Sequence, residues 1–77
     1  MPASLILYST EGCHLCEQAK AVIRQYSSDI NIKEIDIADD EQLFGLYGER
    51  IPVLKRSDSQ QELNWPFDLI LLAGFLS

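Results

Sequence analysis

The chain has 77 residues, 47% of them hydrophobic and 23% charged, a balance that argues against disorder and fits one small domain over 1–77, near the lower size limit for independent folding. Asp and Glu outnumber Lys and Arg twelve to six for a formal net charge of −6, and the basic residues Lys20, Arg24, Lys33, Arg50, Lys55 and Arg56 are scattered, so no nucleic-acid partner is expected. The densest apolar run, Leu69 to Ala73 with Phe75 and Leu76, falls far short of the ~20 residues of a membrane span. The N-terminal "MPASLILYSTEGC" lacks the basic region and long apolar core of a signal peptide, so the expectation is a cytoplasmic protein with no membrane partner.

Leu5-Ile6-Leu7-Tyr8 is an apolar run too short for a helix, and Ser9-Thr10-Glu11-Gly12 follows it, which reads as a buried strand and a turn. From Cys13 the pattern changes. Leu15, Ala19, Val22, Ile23 and Tyr26 fall on one helical face and Glu17, Gln18, Lys20, Arg24 and Gln25 on the other, with Leu15 as the first core residue of the helix. Ile30, Ile32, Ile35 and Ile37 then alternate imperfectly with polar residues, and their β-branching favours a strand.

Asp39 and Asp40 are N-cap candidates for a short helix carrying Leu43, Leu46 and Tyr47, with Gly48 at its end. Ile51-Pro52-Val53-Leu54 reads as a strand with proline at its start. Ser57-Asp58-Ser59 is a turn and Gln61 to Asn64 a return strand, together a hairpin. Pro66 suits the first turn of a last helix running to about Leu76, where Asp68 complements the dipole. The order βαβαββα predicts an α/β fold: a four-stranded mixed sheet with three helices, its first βαβ unit parallel and its hairpin an antiparallel edge.

Cys13-His14-Leu15-Cys16 is the chemically informative stretch. A disulfide closing so short a loop removes little entropy from the unfolded chain, so the pair is a poor structural staple. Half of a zinc site is a second reading, but zinc needs four ligands and His14 is the only histidine, placed awkwardly between the cysteines. Two small core residues at chance spacing are a third. The redox reading is preferred, because a cysteine at a helix N-terminus meets unpaired N–H groups and the positive end of the dipole, both of which favour the thiolate. Cys13 is then the nucleophile, and Cys16, one turn on and shielded, the resolving thiol. A protonated His14 would add charge stabilisation to the Cys13 thiolate; a neutral, solvent-facing His14 that only fills the loop is the alternative.

With C-x-x-C after the first strand and "RIPVL" opening the third, the chain resembles the thioredoxin superfamily and, within it, small glutaredoxin-like proteins. The pieces "LYSTEGCHLCEQA", "RIPVL" and "ELNWPFDLI" carry the likeness over nearly the whole chain. The resemblance implies a thioredoxin-like fold and a cis Pro52 facing the redox pair. It also implies that Ile51 offers its backbone N–H and C=O to an extended substrate, as in strand addition. It departs at His14-Leu15, where thioredoxins commonly carry Gly-Pro and glutaredoxins Pro-Tyr. It departs again at Asn64-Trp65, where glutathione-binding relatives carry two glycines that admit the ligand's backbone. Asp68 survives as the residue that would take the glutathione amino group, and Arg50 is a candidate for a glutathione carboxylate, with a solvated surface Arg as the plainer reading.

The resemblance thus implies a thiol–disulfide oxidoreductase with no bound cofactor and no metal, and with glutathione as a candidate co-substrate. Its partners would be a protein or small-thiol disulfide and, as electron donor, glutathione or a reductase. The alternative is a non-catalytic binding module of the same fold, a metal- or iron–sulfur-bridged dimer; a monomer is the preferred expectation. Trp65 and Phe67 read as packing residues. The last helix has little polar face, and the preferred reading is that so small a domain spends all its apolar residues on its core rather than on a partner.

Overall fold

The computed structural model describes residues 4–28 and 30–76; residues 1–3, on which the signal-peptide reading rests in part, lie outside the described residues. The expected order of elements is present: β1 (Leu5–Ser9), α1 (His14–Tyr26), β2 (Ile32–Asp36), α2 (Glu41–Tyr47), β3 (Val53–Arg56), β4 (Glu62–Asn64) and α3 (Leu69–Leu76), with a 3₁₀ turn at Ile37–Asp39. The sheet is ordered β2-β1-β3-β4, parallel between β1 and β2 and antiparallel between β1 and β3 and between β3 and β4. Register decides what meets what. Ser9 lies beside Asp36, Tyr8 opposite Val53, and Val53 opposite Asn64. The loop after β1, the start of β3 and the end of β4 therefore share one end of the sheet.

Successive residues of β1 point to opposite faces. Leu5 and Leu7 enter one buried cluster with Ala19 and Ile23 of α1, Leu54, Phe67 and Leu72 of α3; Tyr8 enters the other with Ile37, Tyr47 and Val53. Leu7 and Leu54, paired across the central strands, are wholly buried, and each contributes roughly 1.5–3 kcal/mol by leaving water.

Several boundaries differ from the sequence reading, each for a local reason. The inward face of α1 is Cys16, Ala19 and Ile23, while Leu15 is 47% and Tyr26 42% exposed. Leu15 is thus a surface residue rather than the first core residue. β2 stops at Asp36 because that carboxylate accepts the Ala38 N–H at 2.9 Å and caps the 3₁₀ turn. Of the two N-cap candidates Asp40 is the cap of α2, its Oδ1 accepting the N–H groups of Gln42 at 2.9 Å and Leu43 at 3.2 Å. Gly48 ends that helix, and a Cβ there would come within 2.5 Å of the Phe44 carbonyl oxygen.

β3 starts at Val53, after Pro52, because the Ile51 N–H donates to the Tyr47 carbonyl and continues the end of α2 instead of joining a ladder. α3 starts at Leu69 rather than Pro66. Asp68 is its N-cap, with Oδ1 accepting the Leu71 N–H at 2.8 Å and the carbonyl accepting the Leu72 N–H at 2.9 Å. Only Leu72 of α3 is buried; Ile70 is 81% and Leu71 52% exposed, so the domain does not spend all its apolar residues on its core. Among the described residues no helix is long and apolar enough to cross a membrane.

Candidate active site

β1 delivers the chain to the end of the sheet, and Gly12, at φ +77, turns it into α1. That backbone angle suits glycine, which carries no Cβ to clash. Cys13 is the N-cap of α1, with extended backbone angles of −89 and 106. Its Sγ accepts the Cys16 N–H at 3.1 Å and its carbonyl accepts the Glu17 N–H at 3.2 Å. The sulfur thus sits where a helix leaves N–H groups without carbonyl partners. Cys13 and Cys16 are joined as a disulfide across a Cα–Cα distance of 5.2 Å. The two sulfurs differ in access: Cys16 is 1% exposed, whereas Cys13 is half-buried and lines a surface cleft of about 190 Å³ with Gly12, His14 and Glu17. His14 is exposed beside it.

Beside the cysteine loop lies a polar network that the sequence reading did not anticipate. Ser9 is the one buried polar or charged residue among those described, 3% exposed, and its hydroxyl donates to Glu34 Oε2 at 2.8 Å. Lys20 Nζ bridges Glu34 at 3.1 Å and Glu17 at 2.9 Å. The Ser9 hydrogen bond, then Lys20, holds the Glu34 carboxyl below the ordinary carboxylate range, and the two carboxylates raise the Lys20 ammonium. These residues line a cleft of about 350 Å³ that shares Gly12 and Glu17 with the one at Cys13. Two signals for the network were present in the sequence: Ser9 continues the inward alternation of Leu5 and Leu7, and Lys20 follows Cys16 by one helical turn.

The other proposed substrate residues divide. The Ile51–Pro52 bond is cis, as the resemblance implies, and Pro52 is buried at the start of β3, at the same end of the sheet as the cysteine loop. Ile51 cannot offer its N–H as expected, because that group is bonded to the Tyr47 carbonyl at 3.1 Å; only its carbonyl remains for a strand-addition contact. Arg50 is not an isolated surface cation. Its Nη2 pairs with Glu62 Oε1 at 2.9 Å and Asn64 Oδ1 at 3.1 Å, and its guanidinium lies 5.2 Å from the Tyr47 ring centre. Asp68 is engaged by its own helix as the cap of α3. Trp65 packs edge-on against Phe67, ring centres 5.0 Å apart, and its backbone N–H donates to the Pro52 carbonyl at 3.3 Å. The Trp65–Pro66 bond is also cis. Among the described residues no group of three or more His, Cys, Asp or Glu side chains is arranged to hold a metal ion.

A family model described as "Glutaredoxin-like domain (DUF836)" matches residues 4–77. The chain belongs to this glutaredoxin-like family. Among solved structures it is similar to protein XcR50 from X. campestris, at 39% identity over 94% of this chain and 93% of that one, TM-score 0.85. Protein Ne2328 from Nitrosomonas europaea is 34% identical over 100% of this chain and 94% of that one, also with TM-score 0.85. Thioredoxin O2 from Arabidopsis thaliana, in its oxidised state, matches at 20% identity over 96% of this chain and 71% of that one with TM-score 0.62, a likeness of fold alone. No curated protein matches the chain. The fold is thus thioredoxin-like, and this glutaredoxin-like chain carries a bonded cysteine pair that suggests redox activity.

Proposed function

We propose that the protein is a thiol–disulfide oxidoreductase in which Cys13 attacks and Cys16 resolves. The observation that carries this reading is Cys13 Sγ at the N-cap of α1, accepting the Cys16 N–H, with the buried Cys16 sulfur behind it. In the reduced protein the same N–H and the helix dipole favour a Cys13 thiolate. That thiolate attacks one sulfur of a substrate disulfide, forming a mixed disulfide and expelling one substrate thiolate. Cys16 then attacks Cys13 Sγ, the second substrate sulfur leaves with its electron pair, and the enzyme disulfide is restored. Two electrons pass from the cysteine pair to the substrate.

Pro52 and the Ile51 carbonyl would shape the groove beside Cys13, and His14 would lie at its rim. Arg50 and Asp68 support glutathione binding poorly, since Glu62 and Asn64 occupy the first and α3 the second; a protein or small-molecule disulfide is the preferred substrate. Glutathione or a reductase would return the electrons, and coupled assays with each distinguish these donors. Replacing Cys13→Ser is expected to reduce turnover of a model disulfide to the uncatalysed background while circular dichroism stays unchanged. A Cys13→Ser protein that turns over at the wild-type rate would end the proposal.

A further inference from the structure

The surroundings of the reacting sulfur carry an uneven charge. The cleft at Cys13 is bounded by Glu17, whose side chain is 71% exposed, and it shares Gly12 and Glu17 with the 350 Å³ cleft next to it. Four carboxylates, Glu11, Glu17, Glu34 and Asp36, line that larger cleft against one ammonium, Lys20, a surplus of three negative charges. Lys20 is held between Glu17 and Glu34. Glu11 is exposed and has no ion-pair partner among the described residues. It lies two residues before Cys13, a length of chain that spans at most about 7 Å. The Arg50 guanidinium, the candidate for meeting an anionic substrate, is turned instead to Glu62 and Asn64. The bonded cysteine pair marks where a substrate disulfide must arrive, and the charge beside it decides what such a substrate can carry.

We propose that this carboxylate rim selects disulfides carrying a cationic group, an amine or guanidine, beside the reacting sulfur, with Glu11 as its principal contact. This assignment rests on the thiol–disulfide exchange proposed above and names its substrate class. The cation takes no part in bond making. Cys13 Sγ bonds to one substrate sulfur, the substrate S–S bond breaks, and the other sulfur leaves with the electron pair. A cleft lined by one sign of charge concentrates ligands of the opposite sign and speeds their association, by about tenfold to a thousandfold. The same carboxylates repel a disulfide that itself bears carboxylates, so discrimination comes from repulsion as well as attraction. Because the rim is open to solvent, the preference must fade as the screening length falls from about 30 Å at 0.01 M salt to about 3 Å at 1 M.

The test compares oxidation of the reduced protein by cystamine, which carries two amines, by neutral hydroxyethyl disulfide and by dithiodipropionate, which carries two carboxylates. Each rate constant, read by acid quench and chromatography, is divided by that of dithiothreitol with the same disulfide. The division removes the intrinsic reactivity of the disulfide and the pull of the attacking thiolate. Cystamine should exceed the neutral disulfide by about tenfold at 0.01 M salt, the dicarboxylate should fall below it, and all three should converge at 1 M. Glu11→Gln should lower the cystamine-to-neutral ratio by about threefold, and Glu11→Asp should restore it. Ser59→Lys changes the net charge by the same unit, but in the turn at the other end of the sheet, where Arg56 pairs with Leu5, and should leave the ratio unchanged. Peptide disulfides with Lys or Ser beside the cysteine then separate the sources: a Lys preference above that of cystamine marks a basic polypeptide, and one below it a small amine. The proposal is overturned if cystamine gains nothing over the neutral disulfide, if its advantage persists at 1 M salt, or if Ser59→Lys lowers the ratio as much as Glu11→Gln. A wild-type protein that none of these disulfides oxidises would instead sink the exchange reaction itself.

Discussion

The two faces of the sheet use similar polar side chains to opposite ends. Under α2, Tyr8 stacks on Tyr47 with ring centres 4.3 Å apart and planes 14° from parallel, and the Tyr47 hydroxyl donates to Glu62 Oε2. Glu62 also takes Arg50, which reaches Asn64 and lies over the same Tyr47 ring. That cluster closes on itself. Under α1, the polar chain Ser9–Glu34–Lys20–Glu17 instead ends in an open cleft beside the cysteine loop. Each face joins a helix to strands through a carboxylate and a cation. A closed ring of partners holds an element in place, while a chain open at one end leaves Glu17 and Lys20 within reach of solvent and of whatever approaches the cysteine loop.

The sharpest way to break the contrast is to empty the closed side. Tyr47→Ala removes a buried ring from a stack and leaves Glu62 without its phenol donor, so urea denaturation should show a loss of about 3 kcal/mol or more. A loss below about 1 kcal/mol would mean that α2 is held elsewhere.

A smaller effect comes from pH, and the same contact should fail at both extremes. The Tyr47 hydrogen bond, then Arg50, depresses the Glu62 carboxyl. Its stabilisation is therefore full above the unfolded value of about 4.3 and is lost as pH falls through the lower folded value. Burial, with Glu62 beside it, pushes the Tyr47 phenol up to about 12. That contribution is complete below the unfolded value of about 10 and disappears as pH rises toward the folded one. Stability curves should show both limbs in the wild type, the acid one flattened in Glu62→Gln and the alkaline one in Tyr47→Phe. Unaltered limbs in these variants would place the pH dependence outside this ring. The smallest expected effect lies on neither face: Ile70→Ser, at a residue 81% exposed, should change stability by no more than about 0.5 kcal/mol.

The order of elements was legible because each carries its own local pattern: the 3.6-residue spacing of Ala19 and Ile23, the capping Asp40, and turn residues between β3 and β4. Less legible was rotation about α1. Counting Leu15 and Tyr26 as apolar and Lys20 as polar tilts the inferred face away from the observed one, because the true face begins at a cysteine and is bordered by a lysine whose charge is met by Glu34 from a strand fourteen residues on. No short window contains that partner. The start of α3 was misplaced because Asp68, read as a first-turn residue after Pro66, serves instead as the cap, its carboxylate accepting the Leu71 N–H. Of the candidate site, the cysteine pair and Pro52 were readable. The commitment of the Ile51 N–H to Tyr47, and of Arg50 to Glu62 and Asn64, depends on how α2 is closed onto the sheet, and a sequence motif does not carry that information.

Antiparallel pairing of β1 with β3 places Arg56 beside Leu5, so the hairpin turn over Ser57 to Gln60 hangs from the end of the sheet opposite the sulfurs. The separation is set by the five residues of β1, on the order of 15 Å at the usual rise per residue. An exposed position there such as Ser59 is thus a convenient handle. A dye or a surface tether attached to it would leave the reacting end facing outward, so that electron exchange could be followed on an immobilised molecule without crowding the chemistry.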